Sequence, residues 1–517
     1  MERKTAPVNL AIEKNYDSEM CGSIPLHLVN LIQPHGMLLV LDKQELRILQ
    51  ASANTEVYLQ IAADELLSKP FSSLIPEHQF NEVVSKLKSQ NKQDKIPFTL
   101  SLPAGDTVKT FTAIILQHPD YILVELEESR TIAQESFLSL YQHLKYITSL
   151  LKQPDTISEI AQLAVEELKK FSGFDKVMVY QFDPNWNGMV IAQAREADMD
   201  DYMDLRFPAS DVPKQARDLY FKNPYRLIPT RSYTPVRLVP VLNPVTQKFT
   251  DLSDCSLRSV ANVHLEYLAN MRVDASMSLP LIIDNKLWGL IACHHKTPKY
   301  LSYEMRSAME LLSDILAAQL QARQKEEAMA HRVKLRSLHA SLLEQIYSSP
   351  NFAEGLLEGE TTILELFSLS GAAVFYEGNT WVAGETPSPQ EMKELVSWLR
   401  RNNATGLYVT DTLPQAYPRG KDFQTKASGL MAIPINKEQG EFILGFRPEV
   451  QQTIKWGGDP NNAVQMEPDG KSYHPRNSFA IYKEVVKNTS LPWMPDDAAA
   501  AETLRHAVLE KLIKDRY

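Results

Sequence analysis

The chain has 517 residues, of which 44% are hydrophobic and 23% are charged, the composition of a soluble globular protein. This length is too great for one hydrophobic core and favours two to four domains. The net charge of −10 argues against nucleic acid or an anionic membrane as the main partner. The N-terminus lacks the apolar core of a signal peptide, and no apolar run approaches the ~18 residues of a membrane span, so we expect a cytoplasmic protein.

A polar, flexible arm is expected at residues 1–20, followed by a first α+β domain at 21–130. MLLVLD is typical of a buried strand, and LRILQAS, PFTLSLPAG, VKTFTAIILQ and YILVELEE of further strands. NEVVSKLKSQ, which lies between them, has helical spacing. Four or five antiparallel strands with short helices indicate a small sensor-type domain.

A second α+β domain is predicted at 131–320. Helices are expected at about 136–151 and over ISEIAQLAVEELKKFSGF, the latter closed by Gly173. KVMVYQFD and GMVIAQARE are predicted strands, SLRSVANVHLEYLANM is a predicted helix, and MSLPLIID and KLWGLIACHH predict a hairpin around Asp284-Asn285. Residues 198–260 are mostly irregular, and a loop of this length in a compact domain is usually functional.

One very long helix, or two nearly continuous helices, are predicted at 302–349, which contains neither Gly nor Pro. Leu312, Leu316 and Leu320 recur there at helical spacing, so the helix is expected to link two domains and to carry the seam of a homodimer, parallel or antiparallel. A third α+β domain is predicted at 321–517. It includes a polar excursion at about 447–482 and a C-terminal amphipathic helix.

Metal and phosphate chemistry find little support in the sequence. There is no P-loop, no HExxH and no dinucleotide fingerprint. His294-His295 lack a carboxylate at helical spacing, and the acidic cluster at 198–204 lacks EF-hand spacing. The three cysteines, Cys21, Cys255 and Cys293, are far apart and form no CxxC. We therefore predict neither a metal site nor a disulfide scaffold.

A binding pocket is predicted in the second domain. Asp211 lies between Pro208 and Pro213, which stiffen its loop. Each nearby polar or aromatic residue has an ordinary alternative, such as a surface ion pair for Arg226 or a core position for Tyr267. Together they suit a planar ligand with carboxylates, bound by cations, hydroxyls and aromatic rings. The set is Asp211, Arg226, Arg258, His264, Ser276, Ser278 and His294, with Tyr180, Phe207 and Tyr267.

Several separated motifs, in order, resemble those of the phytochromes, and specifically of the bacteriophytochromes. They are Cys21 followed by IQPHG, then PASDVP, RSVANVHLEYLANM, LWGLIACHH, WGG and PRNSF, and they cover nearly the whole chain. The resemblance implies PAS, GAF and PHY domains joined by a helical spine, with a tongue extending from PHY. It also implies a figure-of-eight knot, in which the loop at about 227–257 encircles Ile32. The implied function is red/far-red light reception.

The resemblance also implies a cofactor, biliverdin IXα. Plant-type phytochromes attach their bilin to a cysteine directly before the helix histidine, where this chain has Val263. The alternative attachment site of the family is the cysteine upstream of PAS, which here is Cys21, through a thioether. Structural roles are preferred for Cys255 and Cys293. Addition to a vinyl group favours the thiolate as nucleophile.

The same resemblance assigns roles in the pocket. The Asp211 carbonyl is expected to accept from pyrrole N–H groups, and His264 to help hold that network and tune its pKa. His294 is expected to bond the D-ring carbonyl. The propionate contacts expected are Arg226, Arg258, Tyr220, Ser276 and Ser278, and the D-ring pocket is expected from Tyr180, Phe207 and Tyr267, with Val212 as a further bilin contact.

Arg476 and Ser478 of PRNSF are expected to be tongue contacts, with Arg476 paired to Asp211 in one photostate. The segment Phe479-Ala-Ile-Tyr-Lys-Glu-Val-Val satisfies both strand and helix periods, which suits a two-state element. An ordinary hairpin loop is the alternative.

No catalytic residue is predicted, because no ATP-binding glycine boxes follow the third domain and His506 lacks the neighbours of a phosphoacceptor. Output is expected through a separate module, such as a histidine kinase with its response regulator. Two other functions remain open: a PAS-GAF sensor of a different small ligand, and a hydrolase using His264 or His294 with Asp211. The hydrolase ranks last, because no nucleophile stands on a suitable elbow.

Overall fold

The computed structural model describes residues 25–89, 95–129, 137–402, 406–462, 464–466 and 473–516. Cys21 and the predicted arm at 1–20 lie outside the described residues. The chain forms two compact units. Unit 1 comprises the described residues of the ranges 25–323 and 455–482, and unit 2 comprises those of 324–454 and 483–516.

The secondary structure is mixed, as predicted for an α+β protein. The strands in chain order are β1 (Leu31–Ile32), β2 (Met37–Leu41), β3 (Ile48–Ser52), β4 (Ile96–Ala104), β5 (Thr107–Gln117), β6 (Ile122–Glu128), β7 (Lys176–Phe182), β8 (Gly188–Arg195), β9 (Arg206–Phe207), β10 (Arg226–Ile228), β11 (Val236–Val239), β12 (Ala275–Ile283), β13 (Lys286–His295), β14 (Gly371–Tyr376), β15 (Asn379–Gly384), β16 (Tyr408–Thr410), β17 (Gly429–Asn436), β18 (Glu441–Arg447), β19 (Gln452–Gly457), β20 (Val464–Met466), β21 (Tyr473–Pro475) and β22 (Ile481–Val486). The α-helices are α1 (Thr55–Leu59), α2 (Ala63–Leu66), α3 (Glu77–Ser89), α4 (Phe137–Leu150), α5 (Ile157–Ser172), α6 (Lys214–Leu219), α7 (Asn262–Asn270), α8 (Tyr303–Ser348), α9 (Phe352–Leu357), α10 (Ile363–Leu366), α11 (Pro389–Asn402), α12 (Leu413–Ala416) and α13 (Pro495–Arg516). Short 3-10 turns occur at Phe71–Ser73, Ala209–Asp211, Pro418–Phe423 and Pro460–Asn462.

The first sheet of unit 1 is antiparallel, in the order β1-β11-β3-β2-β6-β5-β4. β2 to β6 are the five strands predicted for the first domain, and alternate residues such as Leu39 and Val124 fill its core. β11, which comes from the long loop of the second domain, was not predicted. It joins this sheet through Leu238 opposite Ser52.

The segment before β2 lies inside that long loop. Leu31 pairs with Arg237 on one side, and on the other the N–H of Ser259 donates to the Leu31 carbonyl at 2.9 Å. The N–H of Gln33 donates to the Leu257 carbonyl at 2.7 Å, and Ile32 between them is fully buried. These bonds supply contacts that the predicted crossing requires. The threaded figure-of-eight topology stays a prediction.

The second sheet has the order β10-β12-β13-β7-β8-β9-β19-β22. Its central pairs are antiparallel, while β9 meets β19 in parallel at Arg206 and Trp456. Asp284 and Asn285 have φ values of 49° and 59° between β12 and β13, so the predicted hairpin turn is confirmed. α5 begins at a capping box on Thr156 and ends at Gly173, with φ 65°, as predicted.

The predicted helix over 256–271 was too long, since α7 covers Asn262–Asn270. The backbone N–H groups of Ser256 and Leu257 donate to the Glu125 carboxylate, and that of Val260 donates to the Tyr233 hydroxyl. These long-range acceptors hold residues 256–261 in a non-helical path.

α8 is one continuous helix, which is the first of the two alternatives predicted from the absence of Gly and Pro. Leu312, Leu316 and Leu320 pack into the core of the second domain, and Leu342 and Ile346 pack into that of the third. The regular apolar spacing is therefore used within the chain. It does not argue for a dimer seam, and the homodimer stays a prediction.

The sheet of unit 2 is antiparallel, in the order β15-β14-β18-β17-β16. One face buries Val374 and Ile443 with residues of α8, α9 and α13, and the other buries Leu444 and Leu395 of α11. The excursion predicted at about 447–482 contains β19, the small antiparallel pair of β20 and β21, and the start of β22.

Candidate functional site

A cavity in unit 1 brings together the candidate residues of the second domain. Its walls come from β7, β10, β12, β13, α7 and the loop around Asp211. Every candidate that the sequence indicated there lines it, namely Tyr180, Phe207, Asp211, Val212, Tyr220, Arg226, Arg258, His264, Tyr267, Ser276, Ser278 and His294.

Strand register explains why the polar residues share one face. Ser278 lies opposite Arg226 on β10, and Ser276 lies opposite His294 on β13. Residues directly opposite in neighbouring strands point to the same side of a sheet, and alternate residues of one strand do the same. The sheet therefore presents two rows of polar side chains to the cavity.

Cations and hydroxyls occupy one part of the cavity. The Tyr220 and Ser278 hydroxyls are 2.7 Å apart, and an Arg226 Nη donates to His264 Nε2 at 2.8 Å. Burial, followed by the charge of Arg226, lowers the pKa of His264 well below its usual value, so the imidazole is a neutral acceptor. Burial and Arg226 lower the pKa of Arg258 to about 10.

The Nε atoms of Arg226 and Arg258 are buried and have no hydrogen-bond partner among the described residues. A buried N–H of a guanidinium without an acceptor costs free energy. Carboxylates are the acceptors that guanidinium groups bind best. This part of the cavity is therefore chemically suited to an anionic ligand group.

Asp211 is the last residue of the 3-10 turn Ala209–Asp211, which directly follows Pro208. One carboxylate oxygen accepts from the Tyr267 hydroxyl at 2.7 Å and from an Arg476 Nη at 2.5 Å. The ion pair predicted between Arg476 and Asp211 is therefore present. Burial raises the pKa of Asp211, while Arg476 and Tyr267 act in the opposite direction.

Arg476 is buried, and its guanidinium carbon lies 5.5, 5.8 and 4.8 Å from the ring centres of Phe207, Tyr267 and Phe479. These aromatic faces favour a cation. Ser478 differs from the prediction, because it is exposed, does not line the cavity and accepts from the Ala480 N–H at 3.2 Å. Asn270 of α7 donates to the Arg476 carbonyl at 3.2 Å.

His294 and aromatic residues occupy another part of the cavity. Burial, followed by the charges of Lys176 and Arg226, lowers the pKa of His294 to about 3, so it is neutral near pH 7. Its Nδ1 and the Tyr180 hydroxyl are buried and lack a partner among the described residues. Both atoms are suited to hydrogen bonds with a ligand.

The two described cysteines, Cys255 and Cys293, are buried and outside the cavity lining. Burial raises the pKa of both thiols, which makes them poor nucleophiles. Cys21 lies outside the described residues. Leu26, five residues after Cys21, lines the cavity.

Sequence reasoning missed several residues of the wall. Met178 lies two residues before Tyr180 on β7, so strand alternation could have found it. Tyr202, Tyr225 and Asn223 come from the irregular region, where no local period indicates an inward direction. Among the residues that the structure describes, no cluster of three or more His, Cys, Asp or Glu could hold a metal ion. None of the described helices is long and apolar enough to cross a membrane.

Three family models match the chain. They are described as PAS fold, over residues 21–129, GAF domain, over 156–320, and phytochrome region, over 335–516. The first range contains β1 to β6 of the first sheet. The second range contains β7 to β13 and, apart from Leu26 and Pro475, every residue that lines the cavity. The third contains both the sheet of unit 2 and the excursion that carries Arg476.

Curated relatives are similar over nearly the whole chain. Cyanobacterial phytochrome A of Nostoc sp. is 40% identical over 95% of this chain and 64% of its own length. A bacteriophytochrome of Xanthomonas campestris pv. campestris is 31% identical over 97% of this chain and 80% of its own. The chain thus spans about two thirds of the length of the cyanobacterial relatives that it matches.

Solved structures share the fold. The wild-type phytochrome photosensory core module of Stigmatella aurantiaca aligns with a TM-score of 0.80 at 37% identity, covering 96% of this chain and 98% of that one. A bacteriophytochrome from the photosynthetic bacterium R. palustris aligns with a TM-score of 0.83 at 34% identity, covering 96% and 99%.

Proposed function

Because the chain belongs to the phytochrome family and carries its PAS-GAF-PHY photosensory core, we propose that its cavity binds biliverdin IXα through a thioether to Cys21. Membership makes the chain the light-sensing core of a red/far-red photoreceptor. The observation that carries the proposal is the single cavity in which Arg226, Arg258, His264, His294 and Asp211 meet.

The polar groups of the cavity support a ligand with two carboxylates. The unpartnered Nε atoms of Arg226 and Arg258 need acceptors, and Tyr220, Ser276 and Ser278 add hydroxyls beside them. The propionates of a bilin would supply those acceptors. Near Asp211 the stiff loop would present its backbone carbonyl to pyrrole N–H groups, with neutral His264 as their neighbour.

Attachment to Cys21 is supported by the chemistry of the alternatives. Val263, directly before His264, lines the cavity and has no thiol, and the buried thiols of Cys255 and Cys293 lie outside the lining. Five residues span at most about 18 Å when extended, so Cys21 can reach the cavity from Leu26. Addition forms a C–S bond and moves the thiol proton to the other vinyl carbon, without an oxidant.

When bound, the bilin supplies the light chemistry, a Z-to-E isomerisation of the double bond between rings C and D. The residues of the chain bind and orient it. Tyr180, Phe207 and Tyr267 would restrict the moving ring, and neutral His294 would hydrogen-bond its carbonyl. Tyr267 also bonds Asp211, so a change at this ring would reach the Asp211–Arg476 pair directly.

We assign signalling to the excursion that carries Arg476 and, beyond it, to an output module such as a histidine kinase. In β22, Ile481 and Val485 are 56% and 52% exposed, so the strand leaves large apolar side chains in water. An alternative fold of this segment could bury them, which favours a hairpin-to-helix change of the tongue. No residue of this chain is assigned a catalytic role.

The test mixes the purified protein with biliverdin and records spectra in darkness and after red light. A reversible shift between red- and far-red-absorbing forms is expected, and the colour should remain with the chain on denaturation. Cys21→Ala should lose the pigment on denaturation, whereas Cys293→Ala, a matched change at a buried thiol outside the cavity, should retain it. A protein that takes up no colour would refute the proposal.

A further inference from the structure

Lys176 is a buried lysine at the edge of the site, and the proposed function assigns it no role. It begins β7 and is 1% exposed. Its Nζ donates to the Asp200 carbonyl at 2.8 Å and lies 3.6 Å from the ring centre of Tyr202. Among the residues that the structure describes, it forms no ion pair. A buried ammonium without a carboxylate partner is costly and calls for an explanation.

The strand register places Lys176 beside His294, on the same face of the sheet. Lys176 pairs with His294 of β13, and His294 pairs with Ser276 of β12. Lys176 itself does not line the cavity, but Tyr202 does. The Lys176 ammonium therefore acts on the cavity through the Tyr202 ring, which it contacts.

We propose that Lys176 is a positioning residue for the light reaction, whose ammonium holds Tyr202 and the Asp200 backbone at the His294 end of the cavity and gives that end a positive charge. The inference rests on the proposed function, because the cavity must contain a bilin for the charge to act on it. It adds a residue and a pH dependence to that function.

The groups that face Lys176 determine the pH at which its ammonium loses a proton. Burial lowers its pKa to about 8, Asp200 and Asp201 act to raise it, and Arg195, its partner in the register with β8, acts to lower it. The pKa of His294 is about 3, and burial raises that of Tyr202, so neither of these two changes charge between pH 6 and pH 10. Within this set, the charge that changes near pH 8 is that of Lys176.

The loss of the proton has two consequences in the same pocket. A neutral amine no longer attracts the face of Tyr202, so the ring is held less firmly. The field of a nearby cation at His294 also disappears. Below the pH at which Lys176 loses its proton, the His294 end of the cavity has a firmly held Tyr202 ring and a positive charge. Above that pH, the charge is absent and the ring is held less firmly.

The experiment titrates the absorbance spectrum of the biliverdin-loaded protein from pH 6 to pH 10. It compares the unchanged protein with Lys176→Met, Lys176→Arg and Lys296→Met, the last a matched lysine deletion at an exposed site. The unchanged protein and Lys296→Met should share a transition with a midpoint near pH 8. Lys176→Met should show at pH 7 the spectrum that the unchanged protein has above the transition. Lys176→Arg should lack the transition that belongs to Lys176, because its cation does not titrate in this range.

Proton loss from the bilin itself would occur in all four proteins, so the difference between them is the readout. If Lys176→Arg resembles Lys176→Met, the residue acts through packing alone and the inference is wrong. If all four proteins titrate alike, the inference is also wrong.

A second experiment applies if Lys176→Met does not fold. It titrates the ligand-free protein labelled with ε-13C-lysine. A resonance absent from Lys176→Arg should then titrate near pH 8, and a midpoint above pH 10 refutes the inference. Uptake of no pigment by the unchanged protein would refute the proposed function instead.

Discussion

At the scale of single residues, Asp211 is the point where two parts of the chain meet. Its carboxylate accepts from Tyr267 of the cavity wall and from Arg476 of the excursion, through the same oxygen. Arg476 has further buried N–H groups, on Nε and Nη1, without partners among the described residues. The guanidinium is therefore held by one carboxylate and by the surrounding rings. This buried ion pair is strong, but Asp211 can exchange Arg476 for another partner when Tyr267 moves.

Removing the guanidinium should release the excursion in the ligand-free protein. Arg476→Gln leaves the buried Asp211 carboxylate without its cation, a change that typically costs about 3–5 kcal/mol. We expect the amide of Gly458, which bonds the Ala480 carbonyl, to exchange roughly a hundredfold or more faster in hydrogen-exchange measurements, because ~2.7 kcal/mol is a factor of about 100 in an opening equilibrium.

Ser478→Ala is the matched control on the same segment, because that serine is exposed and bonds only locally. The double change Asp211→Asn with Arg476→Gln should cost less than the sum of the two single changes, since no buried charge is left alone. Unaltered exchange in Arg476→Gln would show that the ion pair does not hold the segment.

At the scale of elements, β6 fastens the first domain to the second through two alternate glutamates. Glu125 accepts from the N–H groups of Ser256 and Leu257, and Glu127 accepts from Arg306 in the first turn of α8. Both oxygens of Glu127 lie 2.8 Å from the same Arg306 nitrogen. One strand thus holds both the loop that leads to α7 and the start of the long helix.

Glu127→Gln should destabilise unit 1 strongly near neutral pH. Burial alone would raise the pKa of Glu127, but Arg306, His35 and a bond from Tyr300 outweigh it, so the pKa lies below its usual value. A lowered pKa in the folded state contributes stability above the ordinary glutamate pKa, and this contribution is lost as pH falls through the folded value. The loss at pH 7 should be about 3–5 kcal/mol, because Arg306 would remain buried and unpaired.

Urea unfolding at pH 7 and at lower pH measures this change. The difference in the free energy of unfolding between the unchanged protein and Glu127→Gln should become smaller as acid protonates Glu127. Glu128→Gln is the control on the same strand, since its ion pair with Lys109 is half-exposed and weak. A difference that stays constant with pH would show that packing, and not charge, makes Glu127 important.

Local patterns predicted the elements well where the cause is local. Gly173 ends α5, the Asp284-Asn285 turn joins β12 to β13, and the absence of Gly and Pro gives α8. They failed where the partner is distant in sequence. Residues 256–261 have helical periodicity, yet the N–H groups of Ser256 and Leu257 donate to Glu125, more than 130 residues away. β11 likewise pairs with strands about two hundred residues earlier, which no local period encodes.

The candidate site followed the same rule. Residues on β12 and β13 were predictable, because alternation defines the face on which they lie. Asp211 was indicated by the two prolines that frame its loop, and motif resemblance supplied the roles of Asp211 and His264. Tyr202 and Tyr225 were not, since they come from an irregular region in which direction is set by tertiary contacts. Lys176 was missed for another reason. A lysine that begins a strand predicts exposure, but contacts with Asp200 and Tyr202, more than twenty residues later in the chain, bury it.

At the scale of the whole molecule, the division into units does not follow the order of the domains. Residues 455–482 lie within the range matched by the phytochrome region, but they belong to unit 1 with the cavity. α8 begins in unit 1 and ends in unit 2. The chain therefore passes between the two units through one continuous helix and through both ends of the excursion. These are the covalent routes by which a change in the cavity can reach unit 2.

Reversible ligand binding should stabilise unit 1 alone, because every residue of the cavity lining belongs to it. In Cys21→Ala, which is expected to bind biliverdin without a covalent bond, a free concentration one hundred times the Kd stabilises the binding unit by about 2.7 kcal/mol. Calorimetry should then show two transitions, of which one moves upward with biliverdin. Hydrogen exchange should assign the moving transition to residues 137–323 and 455–462, and the fixed one to 324–402. Equal movement of both transitions would mean that α8 and the excursion make the two units unfold as one body, in which case light absorbed in the cavity could act on unit 2 without any refolding of β22.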